Sequence, residues 1–260
     1  MYKYLRIYKE TIRNSIATAS AYRANFILNN FVSLLGNIVF PLVTILIYNS
    51  GASFKEWSMY EVLLIQSIFS ISNGISNMLF SPIVWSTMHH VAEGTLEIIL
   101  IKPVNCLFFL LASEISICDF GVVIGGIVIF SISIVNIGGI TIINWLISLM
   151  LFIFGLCVML GIMLFMAATS FKWVSNSRIP EMYQSVSNLG NYPQSIFPKW
   201  IVGLTSFIMP VAMVGFFPAA ALLSRLEPWM YLSIIPCVLF LLAGILLYHY
   251  MVRLYEGVGG

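Results

Sequence analysis

Charge is what this sequence lacks. Of 260 residues only 12 are Lys or Arg and 10 are Asp or Glu, 8% of the chain, against about 25% in a soluble domain whose surface must hold water. So few charges cannot cover a globular exterior, which excludes a soluble enzyme or binding module. Cysteine is also scarce. Cys106, Cys118, Cys157 and Cys237 lie in apolar stretches with no C-x-x-C pair. They read as small buried hydrophobes, and neither a disulfide framework nor a metal site is expected. None of the six lysines follows a glycine, so there is no Gly-Lys-Ser/Thr loop to cradle a nucleotide's phosphates. H-E-x-x-H and G-x-S-x-G are missing as well, which removes the zinc-hydrolase and serine-hydrolase patterns. His89 and His90 are adjacent, point about 100° apart on a helix and form no two-ligand face. No Lys/Arg cluster is dense enough to neutralise a phosphate backbone, so nucleic acid is not an expected partner. A cleavable leader is not expected either, because the first 25 residues are polar and basic without an apolar core.

What is present is apolar. Hydrophobic residues make up 60% of the chain, with 19 Phe, 12 Tyr and 6 Trp and a mean hydropathy of +0.98. A membrane-crossing helix needs about 20 mostly apolar residues, and six stretches qualify. They are Phe26–Tyr48, Met59–Ser81, a stretch within Leu107–Val135, Asn144–Phe171, Trp200 toward Phe217, and Trp229–Met251. The expected fold is an all-α integral membrane protein, residues 1–260 forming one transmembrane domain. The second and fifth stretches are interrupted, by Gln66, Asn73, Gly74 and Asn77 and by Pro210 and Pro218. Such helices persist at membrane depth only where protein or a water-filled cavity satisfies the backbone.

With the amino terminus cytoplasmic, six crossings leave both termini inside a cytoplasmic membrane. Lys3, Arg6, Lys9, Arg13, Arg23, Lys102, Lys172, Arg178, Lys199 and Arg253 then lie inside, and only Lys55 and Arg225 outside. Ten against two is a positive-inside distribution. Residues 1–25 read as an interfacial helix on the bilayer surface: Tyr4, Ile7, Tyr8, Ile12 and Ile16 recur at helical spacing among basic positions.

Two polar stripes run along apolar helices. Asn30, Ser33, Asn37, Pro41 and Thr44 share one face of the first, and Gln66, Ser70, Asn73, Asn77 and Ser81 one face of the second. Lipid does not tolerate amides, so these faces serve either as helix–helix glue or as the lining of a substrate path; Asn37, Gln66, Asn73 and Asn77 are the candidates for the path. Gly121-x-x-x-Gly125 permits close helix packing. Glu114 and Asp119 are intramembrane carboxylates by position, and such groups mark candidate functional sites. They are five residues apart and do not share a face, and Glu114 lies at the interface if its helix begins near Ser113. A proton- or ion-coupled secondary transporter built on them is the alternative function.

The segment from Trp85 to Pro103 is the most specific. Glu93 and Glu97 lie one helical turn apart, with Leu96, Ile99 and Leu100 beside them, and Lys102-Pro103 stops the helix. A short, partly apolar cytoplasmic helix of this kind suits docking to a soluble partner. Glu93–Pro103, together with Asn191–Phe197 and Ile208–Ala219, resembles the ABC-2 type permeases, in particular those of about 260 residues with a separately encoded ATPase. The resemblance runs over nearly the whole chain. It implies six transmembrane helices per subunit, two permease subunits (identical or related) and two ABC ATPase subunits, which bind ATP and Mg; this chain itself needs no cofactor and is not an enzyme. It also implies a coupling helix within residues 82–105, to which Glu93, Gly94, Leu96, Glu97, Lys102 and Pro103 belong. A re-entrant outer segment is implied over 210–228, with Pro210 and Pro218. The implied function is export of an amphipathic drug, peptide or lipid-like substrate. Residues 173–199 are longer than the simplest pattern and read as a cytoplasmic loop with an amphipathic helix carrying Ile179, Met182, Val186 and Leu189.

Overall fold

The computed structural model describes residues 2–54, 56–113, 115–173 and 178–255, which fold into helices and turns with no strand among them. In chain order the helices are α1 (Tyr2–Ala21), α2 (Arg23–Asn49), α3 (Met59–Leu79), α4 (Ser81–Ala92), α5 (Leu96–Leu100), α6 (Cys106–Ser113) and α7 (Phe120–Ile137). There follow α8 (Ile142–Ser170), α9 (Arg178–Ser187), α10 (Lys199–Gly203), α11 (Phe216–Leu222), α12 (Pro228–Leu232) and α13 (Ile234–Arg253). Among the described residues five units are long and apolar enough to cross a membrane: Arg23–Asn49, Met59–Ala92, Phe120–Ile137, Ile142–Ser170 and Pro228–Arg253.

Local chemistry sets the boundaries. Ser58 caps α3, accepting a bond from the Glu61 backbone while the Glu61 carboxylate accepts one from Ser58 N–H, so two orphan amides of the first turn are satisfied. Thr141 caps α8 through the Asn144 backbone. Pro82 sits in the first turn of α4, where its missing N–H costs nothing, and the chain bends at Phe80 before continuing. The bundle is then built from close approaches. A Cβ on Gly121 would lie 2.2 Å from the Asn30 carbonyl oxygen, so α7 meets α2 at backbone distance only because the residue is glycine. The spacing Gly121-x-x-x-Gly125 has this physical basis. α3 packs along α7, α8 along α13, and α2 lies outside against α7 and α3.

Two apolar clusters occupy opposite ends. At the near end α4, α5 and α6 meet the ends of α8 and α13, burying Ile83, Val84, Leu96, Ile99, Leu164 and Tyr248. Thr87 Oγ1 and the Tyr248 hydroxyl are 3.2 Å apart there. α1 joins this end through Thr11, whose hydroxyl donates to the Ala112 carbonyl at 2.6 Å. It leaves Tyr8, Ile12 and Ile16 exposed, beside the exposed Arg6, Lys9 and Arg13. At the far end Trp57, Ile65, Phe69, Val211, Met213 and Phe217 form the core with α8.

The expected fifth span is corrected. Trp200–Phe217 is not one helix but a broken chain: α10 passes into a π-turn at Leu204–Ile208, then short 3-10 turns at Val211–Met213, then α11. Met209 N–H reaches back five residues to the Leu204 carbonyl, 2.9 Å, and Pro210, which has no N–H to give, ends the turn. This stretch begins near Ser195, whose hydroxyl accepts from Trp57 Nε1 at 3.0 Å beside the start of α3. It descends to place Met213 against Gly155 in the middle of α8. It then climbs back to Ser224, which accepts from Asn144 Nδ2 at 2.7 Å near the start of α8. Both of its ends are therefore at the far end of the bundle. The preceding residues 188–196 pack into the bundle: Gly190 lies against Phe69 and the Val211 carbonyl, and Tyr192 against Phe40 and Phe54.

Candidate functional site

The two polar stripes meet. Ser70 donates to Asn37 Oδ1 at 2.8 Å, Gln66 Nε2 donates to Thr44 Oγ1 at 2.8 Å, and Asn37 Nδ2 reaches the Val122 carbonyl at 3.4 Å. Asn30 accepts from Gly121 N–H at 2.7 Å. Part of each stripe is thus glue between α2, α3 and α7, where an amide without a partner would be costly. The pairing is incomplete: among the described residues the buried atoms Gln66 Oε1 and Asn73 Oδ1 have no hydrogen-bond partner.

The remainder of the stripes lines a cavity of about 300 Å³. Ser33 and Asn37 contribute from α2, Ser70 and Asn73 from α3, and Asp119 from the turn before α7. Gln184, Asn188 and Asn191 close it from α9 and the turn after it, and Phe40 and Phe69 are its aromatic walls. Ser33 donates to Asp119 Oδ1 at 3.3 Å. Of the sequence candidates for the path, Asn37 and Asn73 line the cavity, Gln66 is buried in the helix contact, and Asn77 is half-buried beyond the lining. Glu114 lies outside the described residues, so Asp119 alone of the carboxylate pair is placed. Gln184, Asn188 and Asn191 were not anticipated. Their spacing of four and three is the same helical stripe as on α2 and α3, hidden because Gly190 and Pro193 read as loop.

The Glu93–Pro103 turn is the second site. α4 ends at Glu93, and Gly94 takes φ +67°, a left-handed conformation that side chains disfavour, so the chain reverses into α5. The helix expected over Glu93–Leu100 is accordingly split in two. His89 Nε2 lies 3.2 Å from Glu93 Oε2 on the exposed rim, and His90 Nδ1 lies 2.7 Å from Thr95 Oγ1 across the turn. Leu96 and Ile99 point inward and are fully buried in the near-end cluster. Leu96 therefore anchors the turn to its own bundle. The outward face carries Glu93, Glu97, Ile98, Leu100, Ile101, Lys102 and Pro103, with Ile101 81% exposed. Lys102 Nζ sits 3.9 Å over the Phe109 ring.

Pro210 and Pro218 are both buried in the far-end hairpin. Pro218 occupies the third position of α11, where no intrahelical N–H bond is lost. Gln194 ties the hairpin together, its Nε2 donating to Thr205 Oγ1 and Ser206 Oγ at 3.1 Å each, a buried knot unmarked in the sequence reading. Among the described residues no three His, Cys, Asp or Glu gather into a metal-binding group.

Compared with known proteins, residues 33–259 match the family described as ABC-2 family transporter protein. No curated protein and no solved structure matches the chain.

Proposed function

This chain belongs to the ABC-2 transporter family, and from that premise we propose that it is the permease subunit of an ATP-driven exporter in the cytoplasmic membrane. Its complex holds two permeases, identical or related, and two ABC ATPases that bind ATP and Mg. The substrate is an amphipathic drug, peptide or lipid-like molecule. The observation that carries this reading is the cavity: polar faces of three separate segments converge in an otherwise apolar bundle of this family, and polar groups at membrane depth mark substrate paths.

Five long helices and one broken crossing complete the pathway. Arg178–Ile196 is the sixth crossing, passing from the near end to the far end through α9, and Lys199–Leu223 is a re-entrant hairpin dipping from the outer face. Supporting this are the contacts of Ser195 with Trp57 and of Ser224 with Asn144, both beside outer helix starts. Lys199 then lies outside, and the basic residues divide nine inside (Lys3, Arg6, Lys9, Arg13, Arg23, Lys102, Lys172, Arg178, Arg253) against three outside (Lys55, Lys199, Arg225), still a positive-inside distribution. α1 lies on the inner interface, its exposed Tyr8–Ile12–Ile16 stripe in the bilayer surface.

Coupling is mechanical. The ATPase meets Glu93, Gly94, Glu97, Lys102 and Pro103 on the outward face of the turn. Leu96 and Ile99, locked among α4, α6, α8 and α13, pass its displacement into the helix ends. A nucleotide state that prefers one position of the turn biases the bundle between inward and outward access.

The test is co-expression with a P-loop ATPase encoded beside this chain. Alone, the purified chain should hydrolyse no ATP; together they should form a complex with two permeases and move substrate only with nucleotide. Transport without nucleotide would reverse the conclusion in favour of an ion-coupled carrier, for which Asp119 in the cavity is the specific observation.

A further inference from the structure

We infer that the cavity between α2, α3 and α9 receives a positively charged, hydrogen-bond-donating head group, a protonated amine or its like, against Asp119. This rests on the reading of the cavity as part of the substrate path and names the class of substrate it selects.

Among the described residues the lining contains one formal charge, that of Asp119. Asp119 is half-buried, and among the described residues its only hydrogen bond is the long one from Ser33, 3.3 Å. Among the described residues no Lys, Arg or His lines the cavity, and no basic side chain pairs with Asp119. A carboxylate withdrawn from water without a counter-charge is unfavourable, and a cation that enters the cavity relieves that cost where an anion would add to it. The other walls suit the same ligand. Phe40 and Phe69 are among the walls of the cavity, and aromatic rings attract ammonium groups electrostatically. Asn37, Gln184, Asn188 and Asn191 add side-chain amides to the lining. Serines and asparagines carry no charge that would repel a cation, and the volume of about 300 Å³ holds a head group rather than a whole amphiphile. The apolar remainder of such a molecule would lie along the exposed apolar side of α2, where Leu35, Val39 and Val43 face outward.

The experiment uses the full chain in nanodiscs of neutral phosphatidylcholine. Fluorescence polarisation is measured with dansylcadaverine, whose terminal amine is protonated at neutral pH, and with its N-acetyl derivative, which has the same dansyl group and chain without the charge. Wild type should bind the amine about tenfold more tightly or better, the scale of one favourable charge interaction at a partly buried site. Asp119→Asn should erase that preference and Asp119→Glu should keep it. Gln184→Lys, at the α9 side of the lining, should weaken the amine more than the acetylated probe; it carries the test if Asp119→Asn does not fold. Equal affinity of wild type for the two probes overturns the inference, as does an intact preference in Asp119→Asn or Gln184→Lys. Repeating the measurement as transport with the partner ATPase separates the two levels. ATP-dependent movement of the acetylated probe without preference for the amine removes the cation inference and leaves the exporter standing. Amine binding with no nucleotide-dependent transport of either probe leaves the site and removes the exporter.

Discussion

The two ends of the bundle solve opposite problems. At the near end a short turn, Glu93–Pro103, buries two apolar side chains and turns its charges and its remaining hydrophobes outward. At the far end the returning half of the hairpin turns inward: residues 210–222 are buried without interruption, and Arg225 at its rim is used to clamp it. Arg225 Nη2 lies 2.8 Å from Glu61 Oε1, Nη1 donates to the Glu56 carbonyl at 2.8 Å, and the guanidinium lies 4.8 Å over the Trp57 ring. An outward face on one end and a plug on the other is the arrangement expected of a subunit that takes force on one side and seals a path on the other.

The contrast gives graded expectations. Within the near-end turn, inward and outward residues should fail differently. Leu96→Ala removes a fully buried side chain and should cost about 2–5 kcal/mol of stability, measured by thermal unfolding in detergent. A melting temperature equal to wild type would show that the turn is not anchored. Glu97→Lys faces outward and should leave melting unchanged while weakening the ATPase by about 2–5 kcal/mol if the contact is desolvated, or under about 1 kcal/mol if it lies on a rim. Unaltered assembly and substrate-stimulated hydrolysis would take the coupling role away from this residue; Glu181→Lys, on exposed α9, is the control.

At the far end, Gly155→Val drives a side chain into the Met213 carbonyl, to which even a bare Cβ would come within 2.6 Å. Overpacking of this kind costs about 1–3 kcal/mol, and a normal melt would mean the hairpin does not seat in the middle of α8. Arg225→Ala should have the smallest effect on folding, under about 1 kcal/mol, because the pair is partly exposed. It should nevertheless raise the labelling rate of a cysteine placed at Ser195, as the hairpin rim loosens; an unchanged rate would show that Arg225 is no clamp.

Most of the scaffold was legible because membrane helices announce themselves by length and hydropathy. The four clean apolar stretches and the polar second one fall where the sequence puts them. The stripes on α2 and α3 were legible for the same reason: Asn37 and Ser70 stand out against apolar neighbours, and they hydrogen-bond to each other. The segment between α8 and α10 was not. Residues 188–196 contain Gly190, Pro193 and four Ser, Asn or Gln residues (Asn188, Asn191, Gln194 and Ser195), a composition that reads as a loop, yet Gly190 is there because the Val211 carbonyl and Phe69 leave no room for a side chain. Conversely, Trp200–Phe217 is apolar enough to read as a span although a π-turn and Pro210 fold it back on itself. Hydropathy reports burial, not direction. At the near-end turn, sequence placed Leu96 on the apolar side, and only packing shows that this side belongs to the chain's own core.

The central claim is that the chain crosses between Ser170 and Lys199 and then dips back from the outer face. Single cysteines at Lys199, Ser53 and Lys102, introduced one at a time with the native cysteines replaced, test it in intact cells with an impermeant thiol reagent. Lys199→Cys and Ser53→Cys should react from outside, and Lys102→Cys only after the membrane is opened. Reaction of Lys199→Cys only after opening, together with Lys102→Cys, would place residues 178–199 on the inner side and contradict the account.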